Sequence, residues 1–286
     1  MGTISRRQLL HGSAMSMAAA GFLPSRSPLG AKPLVLPIGC QTYPVRESLG
    51  KDFAGTLREI ATIGYQTIEM CSPPGYQKSG YGSLVKFKAS EIRDTIKGAG
   101  LRCESCHYQF RELKESLDER IAYANELGLK QMVLSTFGLR QDATLADWAR
   151  AASELNKIGE AVQKAGMQLG FHNHAFEFKE IDGVLVYDKL MSEFDPKLVK
   201  MQFQVSVISL GYEAATYLTK YPGRFVSLHL QDWSPADKKQ VAVGKGVVDW
   251  KKLFSAAKTG GVRNYFVELN LDALKESYPY LQALKV

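Results

Sequence analysis

The residues best suited to chemistry close a series of short apolar runs in the C-terminal half of the chain. They are His172-Asn173-His174, Gln202-Phe203-Gln204, Ser227-Leu228-His229-Leu230-Gln231-Asp232 and Phe266-Val267-Glu268-Leu269-Asn270. Imidazole binds divalent ions and exchanges protons near neutrality, a carboxylate can accept a proton, and amides hydrogen-bond hydroxyl groups. These types converging on one place could form a metal-assisted site. Four of the five histidines (His107, His172, His174 and His229) end predicted strands. Any one of them alone reads as a hydrogen-bonded structural residue; their joint placement argues for a site.

The elements that must position them alternate regularly. Predicted strands cover 36–43, 66–71, 101–107, 130–136, 167–173, 198–205, 225–230 and 265–269. Helices rich in Ala, Leu, Lys and Glu lie between them, at 53–63, 90–98, 117–127, 145–165, 184–193, 214–220 and 250–258, and a last helix closes the chain. Strands separated by helices pair in parallel, and eight such units in about 250 residues predict a closed (β/α)8 barrel of one domain, residues 32–286. An open doubly wound sheet would place a Gly-rich phosphate turn after the first strand. The segment there is Gln41-Thr42-Tyr43-Pro44-Val45-Arg46. The Gly/Pro/Tyr-rich stretch 72–83 is long enough to be a rim loop or lid.

Strand parity orients the side chains. Leu169 and Phe171, then Met201, Phe203 and Val205, then Val226, Leu228 and Leu230, then Val267 and Leu269 are expected to face the helices. Gly170, His172, His174, Gln202, Gln204, Ser227, His229, Gln231, Glu268 and Asn270 then face the barrel axis, with Glu69 and His107 from the second and third strands. In a βα barrel the C-terminal strand ends form the rim where active sites lie. Lys245, in Gly244-Lys245-Gly246, reads either as a solvated loop residue or as a group reaching an anionic or hydroxyl-rich substrate.

Composition narrows the class. The chain of 286 residues is 45% hydrophobic and 23% charged, as in ordinary globular domains, and has no apolar run of membrane-spanning length. At the N-terminus, Arg6-Arg7 precedes a mildly apolar stretch and small residues near Ala31, with no acidic residue before it. That pattern predicts a twin-arginine-type export signal over 1–31 and a periplasmic or otherwise exported protein. The whole chain has 36 Lys and Arg against 29 Asp and Glu, net +7; removing Arg6, Arg7 and Arg26 with the signal leaves +4. This mild excess, without a basic run, gives nucleic-acid binding little support. Cys103-x-x-Cys106 lacks the second pair that a zinc site needs, and strand parity places its two thiols on opposite faces.

Several segments together carry a family resemblance: Ile63-Gly64-Tyr65-Gln66-Thr67-Ile68-Glu69, Phe171-His172-Asn173-His174 with Phe176-Glu177-Phe178, His229-Leu230-Gln231-Asp232, Val243-Gly244-Lys245-Gly246-Val247-Val248-Asp249-Trp250 and Val267-Glu268. With them the chain resembles the xylose isomerase-like TIM barrels, the sugar phosphate isomerase/epimerase group that also includes AP endonucleases. The resemblance implies one divalent ion (Mn, Zn, Co, Fe or Mg) held at positions 172, 204, 229 and 268. The family's two acidic ligands at the first two of these positions are here His172 and Gln204, beside His229 and Glu268. It further implies a sugar or keto-sugar substrate and proton transfer next to a carbonyl. Glu268 or His174 would move the proton, and Glu69, His107, Gln231 and Lys245 would bind substrate. The replaced acidic ligands leave a second reading open, a non-catalytic or metal-free sugar-binding barrel. A nuclease of the AP endonuclease type would need further metal ligands after the seventh strand, and 233–243 contains no histidine.

Overall fold

The computed structural model describes residue 34 and residues 36–286. The export segment expected over 1–31 lies outside the described residues. Eight strands close into a parallel barrel in chain order: β1 (Ile38–Gln41), β2 (Thr67–Cys71), β3 (Arg102–Tyr108), β4 (Gln131–Leu134), β5 (Gln168–His172), β6 (Val199–Gln204), β7 (Phe225–Leu230) and β8 (Asn264–Val267), with β8 paired back to β1. The helices that follow them are α1 (Phe53–Ile63), α2 (Ala89–Gly98), α3 (Leu117–Leu127), α4 (Leu145–Lys164), α5 (Val186–Glu193), α6 (Ala214–Lys220), α7 (Trp250–Gly260) and α8 (Leu271–Ala283). The (β/α)8 expectation holds.

Helix α4 shows how the sequence sets these elements. Thr144 and Asp147 form a reciprocal cap, Asp147 N–H donating to Thr144 Oγ1 at 3.2 Å and Thr144 N–H to Asp147 Oδ2 at 2.8 Å. From there Trp148, Ala151, Ala152, Leu155, Ile158, Gly159 and Val162 recur at helical spacing and are buried against the sheet. At the end of α1, Gly64 has φ +121°, and the Tyr278 ring lies 2.4 Å from where a Cβ would sit. Both the conformation and the close approach require glycine.

Two aromatic clusters between sheet and helices fix the orientation of the site-bearing strands. Phe171 of β5 packs between Phe137 and Phe194, at 4.8 and 5.3 Å between ring centroids. Phe203 of β6 packs with Tyr187 and Tyr217 at 5.8 and 5.5 Å. With these rings seated outward, the alternation of the strand sends His172, Gln202 and Gln204 to the barrel axis.

Parity fails at two register shifts. One falls between Met201 and Gln202 on β6, opposite Phe225–Ser227 on β7. Val226 is the extra residue there, and its Cγ1 lies 3.4 Å from the Cβ position of the inward-facing Gly170. Val226 therefore points into the barrel, contrary to the alternation. The other shift, between Ile68 and Glu69, pairs Cys103 with Ile68 and Cys106 with Met70. Ile68 and Met70 share a face, so both thiols lie on that side rather than on opposite sides. All four cysteines are free.

Two short hairpins interrupt stretches expected as loop or helix. Glu180–Ile181 pairs with Val184–Leu185 through Asp182-Gly183, both at positive φ, and this turn delays α5 to Val186. Asp232–Ser234 pairs with Lys239–Val241 beyond β7. Residues 72–83 contain two 3-10 turns and are packed down: Tyr76 donates to Ser135 Oγ at 2.6 Å, and the buried Tyr81 hydroxyl lies 2.8 Å from Thr42 Oγ1.

Candidate active site

The deepest part of the site is a carboxylate at the barrel axis. Glu69, on β2 and wholly buried, receives four hydrogen bonds. Ser105 Oγ (2.5 Å) and Gln202 Nε2 (2.8 Å) donate to its Oε1; Gln41 Nε2 (2.8 Å) and His229 Nε2 (2.5 Å) donate to its Oε2. His107 Nε2 stands 3.2 Å from Oε2 and donates to Gln202 Oε1 at 2.6 Å. A buried carboxylate needs this saturation, because an isolated charge in the interior is prohibitive. Burial works against ionisation of Glu69, but the imidazoles of His107 and His229 and their hydrogen bonds outweigh it and hold the carboxyl well below the usual carboxylate range.

Above this layer lie His172, His229 and Glu268. The His172 ring is 4.4 Å from that of His229, 5.1 Å from that of His107 and 4.6 Å from that of His174, centroid to centroid. His229 Nδ1 lies 3.2 Å from Glu268 Oε2, an ion-pair distance without hydrogen-bond alignment. Burial disfavours the imidazolium of His229, yet Glu268 and Glu69 on its two sides overcome this and raise its pKa to about 9. His172 goes the other way: burial, then the neighbouring imidazoles of His229, His174 and His107, push it well below the ordinary histidine value. Glu268 is favoured as the carboxylate because His229 outweighs its burial.

The rim opens as a cavity of about 840 Å³ whose lining includes Tyr43, Arg46, His174, Phe176, Gln204, Gln231, Trp233 and Glu268. Among the described residues Glu268 is the only carboxylate in that lining and His174 the only imidazole. Glu268 follows the end of β8, so the main-chain turn into α8 presents its side chain to the cavity. Gln204 Nε2 (2.5 Å) and Gln231 Nε2 (2.8 Å) both donate to its Oε2. The Oε1 atom accepts no hydrogen bond among the described residues and offers its lone pairs to the cavity. His174 rests against the Phe176 ring at 5.2 Å, and burial lowers its pKa to about 4, despite Glu268, which leaves it neutral. Its backbone N–H donates to Glu177 Oε2 at 2.7 Å, which fixes the turn.

The residues expected from sequence thus divide by depth. Gln204, Gln231, His174 and Glu268 line the cavity; Glu69, His107, His172 and His229 form the buried layers beneath it. Lys245 is exposed and does not line the cavity. Asn270 lines it and also caps α8, accepting from Ala273 N–H at 3.0 Å.

Asp232 carries no role that sequence alone assigns, and the structure supplies one. It is wholly buried and accepts from Trp233 N and Val248 N on Oδ1, and from Gly244 N and Trp250 Nε1 on Oδ2, all between 2.8 and 3.0 Å. This clasp holds the hairpin and the loop to α7 in one shape. A Cβ on Gly246 would lie 2.2 Å from Asp232 Oδ1, so the loop closes only around glycine. Trp233 and Arg46, both on the cavity wall, carry no sequence signal of their role, since only the folded barrel brings them there.

The donor set fits a divalent ion. His107, His172 and His229 bring ligand atoms within 4.8 Å of one another and could hold a metal. Of the four positions implied by resemblance, His172 Nδ1, Gln204 Oε1 and His229 Nδ1 are buried without hydrogen-bond partners, and Glu268 Oε2 is adjacent to the last. Unpartnered buried polar atoms are costly unless something coordinates them, and His229 Nδ1 would give up its proton to do so. Both sets share His172 and His229. A set rich in imidazole with one carboxylate suits zinc or another later transition metal better than magnesium.

Comparison with known proteins adds the context. The model of the xylose isomerase-like TIM barrel family matches residues 57–282. An inosose dehydratase of Lacticaseibacillus casei is 24% identical over 281 residues, covering 88% of this chain and 93% of that protein. A sugar phosphate isomerase/epimerase from Parabacteroides distasonis superimposes with a TM-score of 0.72 at 25% identity, over 91% of this chain and 96% of that one. The IolI protein, solved with a zinc atom bound, shares the fold at a TM-score of 0.62 and 14% identity, over 86% of this chain and 96% of its own.

Proposed function

We propose that this chain, which belongs to the xylose isomerase-like TIM barrel family, is an isomerase, epimerase or dehydratase of a sugar or keto-sugar that moves a proton at the carbon next to a carbonyl. One observation carries the reading: a single carboxylate and a single neutral imidazole, Glu268 and His174, share a cavity otherwise lined by neutral polar, aromatic and apolar groups and one arginine. Two groups that can each take or give a proton, placed on one substrate-sized cavity, are what enolisation requires. The similarity to an inosose dehydratase and to a sugar phosphate isomerase/epimerase supports the substrate class.

Glu268 Oε1 takes the α-proton, while Gln204 and Gln231 fix the carboxylate through Oε2. A proton delivered to the other face gives epimerisation, returned to the neighbouring carbon gives isomerisation, and expulsion of a β-hydroxyl instead gives dehydration. His174, being neutral, accepts a hydroxyl proton and hands it on. A departing β-hydroxyl takes the proton that Glu268 has collected, and in epimerisation water reprotonates the opposite face while Glu268 returns its proton to solvent. Gln231 and the wall amides bind hydroxyls. Glu69 and His107 act from below by holding His229 and Gln202 in place. When bound at His172, Gln204, His229 and Glu268, a divalent ion would supply Lewis-acid polarisation of the carbonyl oxygen.

The test is wash-in of deuterium from D2O at carbons next to the carbonyl, followed by NMR over a panel of inososes and ketohexoses. Exchange is expected in the wild type, at least about a hundredfold slower in Glu268→Gln, lost with chelator and restored by zinc or manganese. Undiminished exchange in Glu268→Gln removes the assigned role. Binding that ignores chelator and shows no exchange selects the sugar-binding barrel. Export forms part of the same proposal, supported by Arg6-Arg7 and the acid-free segment to Ala31; delivery to the periplasm that survives Arg6→Lys with Arg7→Lys argues against a twin-arginine route.

A further inference from the structure

The cavity holds one permanent cation. Arg46 lines it between Tyr43 and the 72–83 segment, and no other lysine or arginine among the described residues does. Three contacts hold it. Its stem lies against Gly80, where an added Cβ would be 3.0 Å from Arg46 Cγ. Its guanidinium stands 4.3 Å from the centroid of the Tyr43 ring, and its Nη1 donates to the Tyr43 carbonyl at 2.9 Å. Six other arginines pair with carboxylates; among the described residues Arg46 pairs with none. The remaining N–H groups of its planar fork are spare, and a fork held in place in advance loses little entropy when it takes a bidentate partner.

Hydroxyl groups do not need such a cation here. Gln231, Ser206, Ser209, Gln240 and Asn270 already offer neutral donors and acceptors on the same walls. The cavity, about 840 Å³, lies in the upper part of the roughly 300–1,000 Å³ that small-molecule sites span, and it has room for a substituent beyond the ring that reaches Glu268. On the cavity wall itself the one fixed positive charge is Arg46, so an anionic substituent reaching away from Glu268 is matched there.

We infer that Arg46 selects a substrate bearing an anionic group, a carboxylate or a phosphate, on the molecule whose carbonyl reacts at Glu268. This rests on the carbohydrate reading above and adds the charge class of the substrate. Lys245, the sequence candidate for such a contact, does not reach the cavity; the cation comes from the opposite end of the barrel sequence.

Calorimetric titration of the mature protein with D-fructose, D-fructose 6-phosphate and 5-keto-D-gluconate tests it, at low salt and at 0.5 M NaCl. At least one charged ligand should bind about tenfold or more tighter than fructose, as one charge-assisted bidentate contact gives, and salt should narrow the gap. The two charged arms separate phosphate from carboxylate. Arg46→Gln should erase the preference while leaving fructose affinity and the melting temperature near wild type, and Arg46→Lys should keep part of it. Equal affinities, a preference that survives Arg46→Gln, or no binding by any of the three overturns the inference. Deuterium wash-in with a neutral substrate would leave the proton-transfer reading standing in that case. A charge preference without any wash-in would instead uphold the role of Arg46 and remove the proton-transfer reading.

Discussion

Replacing Glu69 by Gln tests the buried network more sharply than any rim variant, because the change is isosteric and every neighbour is known. The amide turns one accepting oxygen into a donating nitrogen. Placed at the Oε1 position, that nitrogen meets Ser105, whose hydroxyl can turn to accept, and Gln202 Nε2, which cannot. Placed at Oε2, it meets the donors Gln41 Nε2 and His229 Nε2 together. The first placement is the milder, and it still strands one donor and removes the charge opposite His229. Breaking one side of a buried pair costs about 3–5 kcal/mol. At roughly 2–4 °C per kcal/mol for a domain this size, the metal-free protein should melt about 6–20 °C lower. Urea unfolding at pH 7 gives the free energy, and a double-mutant cycle with His229→Gln should return a coupling above about 1.5 kcal/mol. The pH profile carries the sign. The depressed pKa of Glu69 contributes stability present above its unfolded value and lost as acid protonates the folded carboxyl. The raised pKa of His229, about 9, contributes stability present below about 6.5 and lost as pH rises through 9. In Glu69→Gln the alkaline decline should flatten. A variant within about 1 kcal/mol of wild type, with an unchanged alkaline slope, would falsify the ionised network.

Two further outcomes follow from buried carboxyl groups. Burial raises the Glu177 pKa to about 8, with one oxygen held by His174 N–H and the other without a partner; since the fold favours the neutral acid, stability drains away as pH climbs from about 4.3 toward 8, and Glu177→Gln should gain about 2–5 kcal/mol at pH 8 but almost nothing at pH 4, read by urea titrations at both. Asp232→Asn turns an acceptor for two of its four donors into a donor, so about 2–4 kcal/mol of stability should go, and amide exchange at Gly244 and Val248 should quicken while the barrel strands stay protected; slow exchange at those amides would show that Asp232 does not hold the loop.

The barrel was legible because each strand is a short apolar run bounded by a helix with its own caps, and Gly64, Gly128 and Gly261 punctuate the chain where helices end. The inward set on β5 and β6 followed from Phe171 and Phe203, whose bulk admits only the outer face. Where a bulge adds a residue, alternation loses its phase without any local signature, so Val226 and the Cys103–Cys106 relation were misplaced. The hairpin through Asp182-Gly183 did have a signal, the Asp-Gly pair of a tight turn, but its strands of two residues are too short for a period. Depth is absent from a linear pattern. Residues at successive inward positions share a face, yet Glu69 lies at the axis and Glu268 at the mouth, and only register across neighbouring strands separates them. Arg46 was invisible for a related reason, since its role depends on which groups stand beside it and not on its own neighbours in sequence.

The Asp232 clasp has an implication for how this barrel can change. All four donors lie within 233–250, and the hairpin pairs only with itself. The shape of this stretch is therefore set largely within 232–250, with a tie to α8 through Val243 N–H, which donates to Ser277 Oγ at 3.0 Å. It behaves as an interchangeable part: its turn at 235–238 can lengthen, or its wall residues Trp233 and Gln240 can be traded, without renegotiating the strands below. New substrates can thus be admitted at the mouth while the histidine and carboxylate layers stay as they are.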